Sequence, residues 1–174
     1  MSWLALARRR RHVRELVEDA TASLERDLKD LLPFAGEQLA RECVIFIYWS
    51  VHVGIVNAQT SALDRWLARV ALHRQLRRAS AALGDGNSPL DLVACYEQRC
   101  REALATTPNI FLYHKRGAEL PILPVTPSGA KLFLRRIGHA RIPPQAVARL
   151  AEVLASYFWS CVQHFQPRIR PRFP

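Results

Sequence analysis

Apolar residues recur at intervals of three and four from Val13 through Leu16, Val17, Ala20, Leu24 and Leu28 to Leu31. This is one stripe along about five helical turns, with acids and bases on the other face. Pro33 stops that helix and suits the first position of the next. From Cys43 to Val56 the chain is apolar on every side, interrupted by Ser50 and His52. A helix over 33–56 must therefore be enclosed by other elements, which predicts a central helix. Its fourteen-residue apolar run falls short of a membrane span. Its β-branched richness leaves a buried strand open as an alternative.

Two further helices announce their starts in the same way, with Ser61 followed by Asp64 and Ser88 followed by Asp91. Each is a side-chain cap with an acid in the first turn. The apolar phase of the first of these shifts from Leu63, Trp66, Leu67 and Val70 to Leu72, Leu76 and Leu83. A bend or a change of packing partner near Ala71 would account for that. Between 108 and 126 the helical pattern breaks, and Gly117 with Pro121 and Pro124 points to a β-hairpin or irregular insertion. Thr126 and Pro127 then open a short helix that Gly138 ends. After Pro143-Pro144, Val147, Ala151, Leu154, Phe158, Cys161 and Phe165 alternate steps of four and three, as a helix-to-helix seam requires. The expected architecture is a mainly all-α single domain over 1–174. It is a bundle of about six helices with a basic N-terminal segment, 1–12, and an extended tail, 166–174.

Composition agrees with an ordered globule: 174 residues, 49% of them apolar, with 7 glycines. The opening Trp3 to Ala7 is too short for a signal-peptide core and precedes the basic run, so a cytoplasmic location is expected. Cys43, Cys95, Cys100 and Cys161 form no CxxC pair and read as reduced core thiols. The net charge of +10 attracts polyanions or an acidic partner. It is unevenly spread, because Thr107 to Pro174 holds ten bases against two acids, or +8.

Catalytic signatures are sparse. No GxGxxG, GxxxxGK, GxSxG or HExxH run occurs. Cys161 and His164 lie three apart but make only two ligands, so no metal and no cofactor is expected. His52, an ionisable group within the apolar helix, is the best candidate for a general base, with Glu37, Glu42 and Tyr48 as the nearest helpers in sequence. The other reading of His52 is a neutral core imidazole.

The bases fall into three groups: Arg8 to Arg11 with Arg14, then Arg74, Arg77 and Arg78, and a C-terminal set of Lys115, Arg116, Lys131, Arg135 and Arg136. The first follows Trp3, Leu4 and Leu6, which suits a membrane surface or an acidic groove. The third suits nucleic-acid phosphates or an acidic protein. The leading expectation is a non-catalytic protein-interaction module, an adaptor or regulatory subunit. A nucleic-acid binder and a helical enzyme built around His52 are the alternatives.

Overall fold

The computed structural model describes residues 3–33, 35–56, 58, 60–82, 94–98, 111–113, 119–121, 127–138 and 143–165. These are mostly helical: α1 (Trp3–Leu31), α2 (Glu37–Val56), α3 (Ala62–Ala82), a short stretch α4 (94–98), α5 (Pro127–Arg136) and α6 (Pro144–Phe165). Two three-residue strands, β1 (Phe111–Tyr113) and β2 (Glu119–Pro121), pair antiparallel with Leu112 opposite Leu120. The tail 166–174 and the cap at Ser88 lie outside the described residues.

The helix α1 begins at Trp3, ahead of the apolar stripe, so the basic run is part of the helix and not a segment before it. No proline or glycine interrupts this stretch. Pairs one turn apart, Arg11–Glu15 at 2.7 Å, Arg14–Glu18 at 3.6 Å and Glu25–Lys29 at 2.7 Å, support its solvent face. The opposite face buries Val13, Val17, Leu24 and Leu28.

α2 packs against α1, α3, α5 and α6, and every residue from Glu42 to Val51 is buried. The segment Gln38–Val56, 19 residues, is long and apolar enough to cross a membrane, and 78% of its most apolar window is buried within the fold. Ser50 sits among these apolar walls because its hydroxyl donates to the Phe46 carbonyl oxygen at 2.9 Å, one turn back.

The tightest joint is between α2 and α6. Trp49 stacks on Phe158 with ring centroids 5.2 Å apart. At Gly54 a Cβ would stand 3.0 Å from the Cys161 carbonyl oxygen, 3.0 Å from Phe165 Cδ2 and 3.1 Å from Val162 Cα. Glycine is what lets the two backbones come this close. Along α6, Val147, Leu150, Ala151, Leu154, Phe158, Cys161 and Val162 are buried, the seam that the spacing predicts.

At the start of α3 the Asp64 amide donates to Ser61 Oγ at 3.1 Å, the expected cap. The helix then runs unbroken, so the change of apolar phase marks no interruption. Ala71, Leu72 and Leu76 face the core, whereas Leu63 and Trp66 are 51% and 58% exposed. α5 ends at Gly138, whose φ of 83° lies in the left-handed region and whose amide donates to the Arg135 carbonyl at 3.2 Å. Two side-chain bonds tie α1 to α6. The Tyr157 hydroxyl donates to Asp27 Oδ2 at 2.7 Å, and the Nε2 atoms of His12 and His164 meet in a hydrogen bond.

Candidate functional site

The four residues considered for catalysis are not gathered. His52 is half-buried, with its ring perpendicular to that of Tyr96 at 5.7 Å. Tyr96 stands perpendicular to His73 at 6.1 Å. This His–Tyr–His stack joins α2, α4 and α3. Burial, with the charges of Arg69 and His73, pushes the His52 imidazole down to about 4, so it is neutral near pH 7. Its Nδ1 is buried without a hydrogen-bond partner among the described residues. Glu42 is buried in the same helix, ten residues earlier and so roughly 15 Å along the axis. Glu37 is the first residue of α2, and its side chain lies outside the described residues. Tyr48 faces a different hollow, described below.

The thiols Cys43 and Cys161 are free and buried, and burial pushes both up, Cys161 to about 12. They remain protonated, which makes them packing groups and not nucleophiles. His164, three residues after Cys161, meets His12 across the α1–α6 joint. Among the described residues no three His, Cys, Asp or Glu side chains are placed to hold a metal ion.

The most distinctive surface lies between α1 and α3. Arg11 and Arg14 face Arg74 and Arg78 across a groove of about 410 Å³ floored by Ala71 and Gln75. Glu18 spans it: Gln75 Nε2 donates to Glu18 Oε1 at 2.9 Å, and Arg14 lies 3.6 Å from Glu18 Oε2. Four arginines against Glu15 and Glu18 leave two positive charges in excess, and no ion pair engages Arg74 or Arg78 among the described residues. Beyond Glu18 the groove opens into an apolar hollow of about 500 Å³ walled by Val17, Thr21, Ala22, Ala40, Val44 and Tyr48. Arg14, Gln75 and Arg78 line both spaces. Tyr48 is 1% exposed, yet its hydroxyl and that of Thr21 are buried with no hydrogen-bond partner among the described residues. Burial first, and then the Glu18 carboxylate, push the Tyr48 phenol up.

Reading the chain alone, the arginines of α1 and of α3 stand as two separate groups. The fold makes them one groove. Of the C-terminal set, Lys131 and Arg135 are exposed one turn apart on α5 and Arg136 is half-buried, while Lys115 and Arg116 lie outside the described residues. Comparison with known protein families, with curated proteins and with solved structures finds no match to this chain.

Proposed function

We propose that this chain is a non-catalytic interaction module of the cytoplasm, a six-helix bundle around α2 with a hairpin insertion near 108–126, and that it docks an acidic, amphipathic protein segment along α3. The observation that carries the reading is the outer face of α3. Leu63 and Trp66 stand 51% and 58% exposed at one end. Exposed Arg77 lies three turns beyond Trp66 on the same side, flanked by exposed Arg74 and Arg78. Tryptophan and arginine are the residues that most often dominate binding energy at interfaces, the first by filling a pocket and the second by pairing with carboxylates. Apolar anchors followed by cations select a segment of the complementary order.

Capture from the source cell, with and without nuclease, tests this when the native chain is compared with Trp66→Ser/Arg77→Glu. The expected result is a protein that survives nuclease and is lost from the double variant. A partner retained by the variant, or one released by nuclease, sinks the reading.

A second reading, nucleic-acid binding through the C-terminal third, is favoured by the exposed pair Lys131 and Arg135. Replacing both with Ala should flatten the log–log salt dependence of duplex binding by up to about 2. Absence of any duplex or single-strand binding at about 50 mM salt, where phosphate contacts are strongest, removes it.

A further inference from the structure

We propose that the hollow between α1, α2 and α3 is a binding site for a small organic anion with an apolar body and an internal hydrogen-bonding group. Three independent features meet there. The space, about 500 Å³, is of the size that takes a small ligand; Val17, Ala22, Ala40, Val44 and Ala79 give it apolar walls, and Glu25, paired with Lys29, is the one carboxylate on it besides Glu18. Two hydroxyls, Tyr48 and Thr21, are buried on it without partners among the described residues. A buried hydroxyl left unpaired is costly, and a ligand group placed between the two removes that cost. At the mouth, Arg14 and Arg78 belong to the hollow and to the arginine groove at once. They supply charge-assisted bonds to a carboxylate, sulfonate or phosphate.

Glu18 occupies that mouth, held by Gln75 and near Arg14. A ligand acid would take over Arg14 from it, so Glu18 acts as a resident competitor and sets a floor on how anionic a ligand must be to enter. The site goes beyond the docking surface and shares Arg78 with its edge, whereas Trp66, the anchor of that surface, lines neither space.

Two probes share one aromatic body and differ in the acid: 8-anilinonaphthalene-1-sulfonate and the uncharged N-phenyl-1-naphthylamine. Titrated by fluorescence and calorimetry into the full chain, the sulfonate should saturate at one per chain. It should bind about tenfold or more tighter than the amine, the increment of a charge-assisted contact. Arg14→Ala/Arg78→Ala, both at exposed positions, should erase the difference between probes, and Glu18→Gln should widen it. Tyr48→Phe should weaken both probes by about fivefold, the size of one net hydrogen bond. Ala22→Trp fills the hollow from its exposed rim and should abolish both without lowering the denaturation midpoint. Trp66→Ser should change neither. Binding that fails to saturate, equal affinity for the two probes, or binding that survives Ala22→Trp overturns the proposal and leaves the two hydroxyls satisfied by water alone.

Discussion

The two sides of α2 are built on opposite terms. Toward α6 the joint is dry and close: Trp49 stacks on Phe158, and Gly54 is bare so that the Cys161 and Val162 backbone can approach. Toward α1 and α3 the same helix fronts a hollow of about 500 Å³, a bridging carboxylate and two hydroxyls without partners among the described residues. Protein interiors are normally packed to crystal density with their polar groups paired. The side toward α6 obeys that rule, whereas the other side opens on a surface hollow and holds two buried hydroxyls without partners among the described residues. The expectation is that stability is concentrated on the α6 side, and the proposed binding on the side of α1 and α3.

The largest expected effect is on the closed side. Phe158→Ala empties a fully buried ring site against Trp49 and should lower unfolding free energy by about 3–5 kcal/mol in chemical denaturation. A loss under about 1 kcal/mol would mean that the seam is not where the fold is held.

Next in size is an acid response from His52 of α2, in the stack with Tyr96 and His73. The folded His52 imidazole sits near 4, below its ordinary value of 6.5, so between those values the unfolded chain takes up a proton that the native state refuses. Its contribution is complete above about pH 6.5 and disappears as pH falls toward 4, with a full amplitude on the order of 3 kcal/mol. His52→Phe, which keeps a ring against Tyr96, should flatten the stability profile between pH 6.5 and 4. An unchanged slope would assign the acid response to other groups. His52→Ala removes the ring contact as well and should lower the midpoint at pH 7.

Gly54→Ala sets two effects against each other. Alanine favours the helix by about 1 kcal/mol, but the added methyl meets backbone atoms of α6 that cannot swing away, and overpacking of that kind costs about 1–3 kcal/mol. A net loss of about 1 kcal/mol is expected, and a gain would show that α6 can slide. The smallest effect belongs to the open side: Tyr48→Phe deletes an unpartnered hydroxyl and should leave stability unchanged or raise it by up to about 1 kcal/mol. A loss of about 2 kcal/mol or more would place that hydroxyl in a structural bond and dissolve the contrast between the two sides.

Reading along the chain recovers what local periodicity controls. The stripe Val147, Ala151, Leu154, Phe158 and Cys161 is buried as spaced, α2 is central because it is apolar all round, and Ser61 caps α3. Periodicity does not say what a stripe packs against. Leu63 and Trp66 keep core spacing yet face outward, so the pattern alone does not separate a core stripe from an exposed one. Nor does it reveal which helices are neighbours. Arg11 and Arg74 share a groove only because α1 lies beside α3, a long-range fact with no local trace. Gly54 escapes notice for the same reason, since its meaning resides in the Cys161 carbonyl more than a hundred positions later. The polar start of α1 is illegible in a different way: Arg8 to Arg11 show no apolar stripe, although nothing there opposes a helix.

The ties from α1 to α6 link residues 130 and 152 positions apart, Tyr157 to Asp27 and His164 to His12. A ribosome adds about 5–20 residues per second, so α1 waits roughly 7–30 s for the partner residues of these two bonds to be synthesised. Through that interval one wall of the arginine groove and of the hollow lacks its fastenings to α6. The groove and the hollow therefore stay unfastened on that side until α6 has emerged from the ribosome.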